Sequence, residues 1–220
     1  MKQALLFSLI WLILGCTSAP APDWMYQSYN ALDSYKSSIL EGKSTLADLY
    51  FERAVAETKR SGDLILLGRV YLTQMAMETV LQHPHSENAF LAILKIAPDP
   101  ENEQYYRFLQ GKNYGDLIPA LLPGQYRDFA AALQQKNEEA ASGAIGRIKD
   151  PCSQIISISV CDKWRLCKEQ EYRTAIDTAS RQGWKAVLQL YLEKLAGLQD
   201  ARGEKEQAGL TREKLDLLKD

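Results

Sequence analysis

Along most of the chain, apolar residues recur at spacings of three and four, the pattern of helices that bury one stripe. Leu46, Leu49, Tyr50, Ala54 and Val55 make one such stripe, and Ala175, Ile176 and Ala179 belong to another. Alternation with period two is almost absent after Trp24. Only Ile156-Ser157-Ile158-Ser159-Val160 allows an extended reading beside a helical one. Glycine and proline punctuate the pattern at Gly42, Gly62, Pro84, Pro98, Gly111, Pro119, Pro123, Pro151 and Gly183, leaving segments of ordinary helix length. The expected fold is all-α, either a superhelix of helix-turn-helix repeats or an irregular helical bundle.

The first residues break this pattern. Met1-Lys2-Gln3 is a short cationic start, and residues 4–14 are apolar except for Ser8. As a helix that run is about 16 Å long, roughly half the hydrocarbon core of a bilayer, so it predicts a signal peptide over residues 1–15 and not a membrane span. The run closes on Ile13-Leu14-Gly15-Cys16, which resembles the lipobox of bacterial lipoproteins, departing at Ile13 and Leu14 from its commonest form. The resemblance implies cleavage after Gly15 and fatty acylation, of the palmitate class, on Cys16. Several acyl chains give a stable anchor where one gives only marginal binding. Thr17 in place of Asp implies the outer membrane, with the body on its periplasmic side. Residues 16–23 then form the lipidated cysteine and a tether whose Pro20 and Pro22 favour extended backbone. Residues 24–220 are expected to be a single helical domain.

Shifting the chain by 121 residues places Phe51 on Tyr172, Ala54 on Ala175, Val55 on Ile176 and Gly62 on Gly183. The register continues with Leu66 on Val187, Leu67 on Leu188 and Val70 on Tyr191. Both copies predict helix, glycine turn, helix. Leu64-x2-Leu67-Gly68-x2-Tyr71 matches three of four positions of the W-x2-L-G-x2-Y signature, and Trp184-x2-Val187-Leu188-x2-Tyr191 keeps its Trp and Tyr. Ala47-x3-Phe51-x2-Ala54, and Phe90 followed eight residues on by Pro98, have the spacing of the second helix of that unit. The chain thus resembles tetratricopeptide (TPR)-like repeat proteins over about residues 30–98 and 168–220, with an irregular helical middle at 99–167. In that family the first helix of each pair lines a groove for peptides or partner helices. Carried over position by position, the groove candidates are Ile65, Arg69, Leu72 and Thr73 in one unit, and Lys185, Gln189, Leu192 and Glu193 in the other.

Composition narrows the chemistry. With 26 basic and 28 acidic residues the chain is close to neutral, which argues against nucleic acid as a partner. Both histidines lie in His83-Pro84-His85, and no phosphate loop, HExxH, nucleophile elbow or dinucleotide fingerprint is present. No catalytic residue, metal or cofactor is therefore expected. The paired acids Glu138-Glu139 and Glu169/Glu171 read as solvated helix faces. In the middle segment, Tyr105, Phe108 and Leu109 share one core face, while Tyr106 and Tyr114 fall outside it as candidate contacts. Cys152, Cys161 and Cys167 fit no zinc spacing. A helix through 152–160 would separate Cys152 from Cys161 by about 13 Å and leave Cys161 to face Cys167 across a turn at Asp162-Lys163. An extended 156–160 would instead let Cys152 and Cys161 close a loop. The expected function is a lipid-anchored, periplasm-facing scaffold that binds a protein partner. Lipoproteins of similar build serve as pilotins, barrel-assembly components or adaptors for cell-wall enzymes. A deep aromatic cavity at Tyr106 and Tyr114 would point to a small ligand instead. A glutamate at the floor of a long cleft would point to a cell-wall-acting enzyme or its regulator.

Overall fold

In the computed structural model, which describes residues 22–219, the chain is helical wherever it is regular. The helices are α1 (Asp23–Leu40), α2 (Ser44–Lys59), α3 (Leu64–Leu81), α4 (Asn88–Ile96), α5 (Pro100–Gln110), α6 (Arg127–Gln134), α7 (Glu138–Arg147), α8 (Pro151–Lys163), α9 (Glu169–Gln182), α10 (Lys185–Ala201) and α11 (Lys205–Asp216). Three single 3₁₀ turns, Tyr114–Asp116, Pro119–Leu121 and Gly124–Tyr126, carry the chain from α5 to α6. No strand occurs among the described residues. The all-α expectation holds. The signal-peptide residues 1–15, Cys16 and most of the tether lie outside the described residues.

Local chemistry explains the boundaries. Asp63, Asp99, Asn137 and Asp150 each accept a hydrogen bond from a backbone N–H three residues on, at 2.9, 2.8, 2.9 and 2.7 Å. These side chains satisfy N–H groups that a helix start leaves orphaned. Pro100 and Pro151 occupy first-turn positions, where the missing N–H costs nothing. At the other ends, α5 and α9 stop on glycines with φ of +63° and +72°, a left-handed backbone that residues with a Cβ seldom adopt.

Two helices form the axis of the fold. In α3, residues from Leu67 to Val80 are mostly buried, and in α8 every residue from Ser153 to Cys161 is buried. A helix buried on all sides reads as unpatterned apolar sequence. This resolves the Ile-Ser run: residues 156–160 are helical, not extended. Ser157 and Ser159 return their hydroxyls to the Ser153 and Ile155 carbonyls at 3.0 and 2.8 Å, so each is satisfied without a strand partner. Ser159 also meets the fully buried Tyr191 hydroxyl at 2.8 Å. Around this axis one continuous core runs from Tyr35 in α1 to Leu215 in α11, with Phe90, Phe108, Phe129 and Met75 wholly enclosed.

The two sequence copies fold alike. Residues 44–81 and 169–201 are both helix, left-handed glycine, helix, with Gly62 and Gly183 at φ +69° and +72° and with Ala54 and Ala175 fully buried. Gly68 shows why a small residue follows Leu67. A Cβ there would sit 3.2 Å from the Asn102 amide, 3.6 Å from Ile93 and 3.7 Å from the Phe90 ring, so its absence lets α4 and α5 lie directly on α3.

Candidate functional site

A polar concavity lies where α3, the start of α5 and the 3₁₀ turns meet. It is an open cleft of about 410 Å³ lined by Arg69, Thr73, Glu101, Asn102, Tyr105 and Arg127, with Leu72, Leu121, Leu122, Pro123, Gln125 and Tyr126 completing it. Its position follows from the caps already described. Asp99 and Pro100 start α5 at that point, which puts Glu101 and Asn102 on the first turn facing α3. Asn102 donates to the Ile65 carbonyl at 3.1 Å and fixes that approach. Beneath, the rings of Tyr105 and Tyr126 stack at 5.5 Å, and Phe108 lies 5.0 Å from Tyr126. Burial pushes both phenols up, Tyr126 to about 12, so they remain neutral hydroxyls at physiological pH.

Charge in the cleft is uneven. The Arg69 guanidinium reaches Glu101 at 3.4 Å with both partners exposed, and such a pair is worth little. Arg127 is held by its Nε on the Leu122 carbonyl at 2.8 Å, which aims the guanidinium without neutralising it. Two guanidiniums against one carboxylate, above a stacked aromatic floor, suit an anionic group on an extended segment.

Of the groove candidates, Arg69, Leu72 and Thr73 are brought together here. Leu72 is buried beneath, and Thr73 donates to the Arg69 carbonyl at 2.9 Å. Ile65 is exposed one turn earlier, on the outer surface. The second set lies elsewhere. Gln189 donates to the Leu218 carbonyl at 2.8 Å, Leu192 is buried between α9, α10 and α11, and Lys185 and Glu193 are exposed. Because α11 covers this side of α10, no groove runs along Arg69 and Gln189. Arg127, Glu101 and Asn102 were not legible as site residues, since a cleft wall made by three 3₁₀ turns has no periodicity to read.

Tyr106 lines an open pocket of about 400 Å³ with Leu91, Leu94, Glu103, Arg107 and Asn113, but Tyr114 does not share it, so the two rings do not build one aromatic cavity. Tyr106 packs on Phe90 at 5.2 Å and donates to Glu87 at 2.6 Å, whereas Tyr114 sits edge-on to Trp164 at 5.6 Å. Glu171, read as solvated, is buried beside a cleft of about 540 Å³. Both its oxygens are committed: one accepts the Lys168 N–H at 2.8 Å as the cap of α9, the other accepts the Ser142 hydroxyl.

The cysteines follow the helical reading. Cys152 lies at the start of α8 and Cys161 near its end, so these two do not meet. Cys167 donates to the Ile158 carbonyl at 3.2 Å, and burial and then the neighbouring Cys161 thiol push its own thiol up. The turn between them falls after Lys163, at residues 164–168, not at Asp162-Lys163, because Asp162 and Lys163 are still helical. The three thiols are free. Among the described residues no group of three His, Cys, Asp or Glu side chains is placed to hold a metal ion.

A polar cluster at the end of α8 was not foreseen. Lys163 donates to the Leu109 carbonyl at 2.9 Å and lies 2.9 Å from His85 Nε2, which is also 2.8 Å from the Thr79 hydroxyl. Burial and then the Lys163 charge hold His85 down at about 4, and burial holds Lys163 down at about 8. An unfolded histidine takes its proton near 6.5, so between pH 6.5 and 4 the unfolded chain binds more protons than the folded one. Stability is therefore expected to fall as pH drops through that window, whose upper part lies above the range where carboxylates titrate. Denaturant melts at stepped pH check this, and His85→Gln, which keeps an acceptor and cannot titrate, should flatten that part of the curve.

The chain matches no protein-family model, and comparison with curated proteins and with solved structures gave no match.

Proposed function

We propose that this chain is a lipid-anchored scaffold of the bacterial outer membrane, facing the periplasm and holding a segment of a partner protein in the Arg69–Arg127 cleft. The cleft carries the reading: it is open, its walls offer two guanidiniums, and its floor is aromatic. The apolar run ending in Gly15-Cys16 supports the anchor. The paired hairpins, the buried alanines and the seating of Phe90 on Gly68 support TPR-like units. In an oxidising compartment Cys161 and Cys167 pair, leaving Cys152 free. A peptide map without reductant should show that single linkage.

Crosslinking in intact envelopes followed by purification tests the scaffold. One partner is expected in stoichiometric amount. Reversing both charges, Arg69→Glu with Arg127→Glu, should cut its recovery at least ~10-fold, since an interfacial arginine is commonly worth more than ~1 kcal/mol. Recovery unchanged by the double variant would remove the cleft from the account. Glycan cleavage by the purified protein with no partner recovered would replace it with an enzyme.

A further inference from the structure

The amino-terminal end of the bundle is unlike the rest of the surface. Tyr26 and Tyr29 lie three residues apart on one side of α1 and are 68% and 58% exposed. Trp24, Met25 and Tyr29 line a narrow slot of about 130 Å³ whose opposite wall is Leu66 and Val70 of α3. Ile65 is exposed beside it, at the start of α3. The Ser28–Thr58 hydrogen bond at 2.6 Å brings the end of α2 to the same place. Aromatic rings with a polar tip, clustered at one end, are the side chains that settle at a membrane–water interface.

Where the chain emerges decides the occupant. Six peptide units separate Cys16 from Pro22, and fully extended they span at most about 21 Å. Pro22 leads directly into α1, so an acylated Cys16 keeps this end within reach of the lipid headgroups. We propose that the aromatic end of α1, with Trp24, Tyr26 and Tyr29, seats on the bilayer surface that holds the chain's own acyl chains, and so orients the bundle. The inference rests on the lipid anchor proposed above. Charge does not drive it: Arg60 is paired with Glu57 at 2.8 Å and Arg69 with Glu101 at 3.4 Å. The contact is apolar and aromatic, and indifferent to salt. Arg69 lies about 6 Å further along α3 than Ile65, on a wall shared by the slot and the cleft. A seated bundle therefore opens its cleft close to the membrane, toward partners that are themselves membrane-proximal.

The test uses the lipidated protein in vesicles of phosphatidylethanolamine and phosphatidylglycerol, a fraction of the acyl chains being brominated. Residues 16–220 contain three tryptophans, Trp24, Trp164 and Trp184. Bromolipid should quench about a third of the emission, because an interfacial side chain sits ~5–10 Å deep, whereas Trp184 is buried and Trp164, half-buried, has its indole nitrogen enclosed. That quenching should vanish in Trp24→Phe, weaken in Tyr26→Ser/Tyr29→Ser, and persist at high salt. Protein retained by its acyl chains, yet with no quenching or with equal quenching in Trp24→Phe, overturns the seating and leaves the anchor intact. Protein that carries no acyl mass and does not stay on the vesicles overturns both.

Discussion

Phe108→Ala is expected to cost about 4 kcal/mol, the usual range for deleting a buried phenylalanine ring. Phe108 is fully enclosed and is the hub of the aromatic cluster under the cleft. Tyr126 lies 5.0 Å away, Phe129 and Trp164 meet it edge-on at 6.0 and 6.5 Å, and Tyr105 lies at 6.1 Å. Alanine there removes apolar contacts from α5, α6 and the end of α8 at once, and those elements have few other ways to close the space. Of a total stability of about 5–15 kcal/mol, that loss is large. Phe108→Leu retains most of the volume and should cost about 1 kcal/mol. Equilibrium denaturation of both variants checks the ranking. The alanine variant should also lose partner recovery, because the Tyr105–Tyr126 floor loses its support.

Asp162→Ala is expected to cost about 3 kcal/mol, by a different route. Its carboxylate accepts from Gln82 at 2.7 Å, from the Tyr172 hydroxyl at 2.5 Å and from Lys194 at 2.8 Å. One side chain at the end of α8 thereby ties α3, α9 and α10 together. The Asp162 and Lys194 side chains are only 13% and 20% exposed, so removing the acid strands an ammonium that water reaches poorly. Burial and the Asp162 charge hold the Tyr172 phenol up, so it stays a donor that would also lose its acceptor. Lys194→Met leaves Asp162 with two partners and should cost about 1 kcal/mol. A double-mutant cycle by chemical denaturation measures the difference, which a merely solvent-exposed pair would not show.

These two clusters mark what could be read from the chain and what could not. Some helix ends were legible because they rest on local chemistry: Pro151, read as punctuation, opens α8, and Gly111 and Gly183 stop α5 and α9. The turns at Lys136 and Arg165, with φ of +53° and +55°, were missed because a long basic residue carries no sign that its backbone will be left-handed. Burial of α8 was ambiguous in the sequence, since an Ile-Ser run has the strand period and only its enclosure by α3, α7 and α9 makes it a helix. Three of the twelve residues that line the cleft were legible as site residues. Arg69, Leu72 and Thr73 follow from the position of a repeat-like motif on α3. Glu101, Asn102 and Arg127 depend on where the 3₁₀ turns bring the chain back, and that is a tertiary fact. Glu171 was misjudged for a similar reason: an acid at the third position of a helix looks solvated until the cap it closes is buried.

The mass of the protein extracted intact from its native envelope tests the central claim most directly. A chain that begins at Cys16 and carries the added mass of fatty acyl groups on that residue is the expected result. A chain that retains Met1 and carries no acyl mass would contradict it.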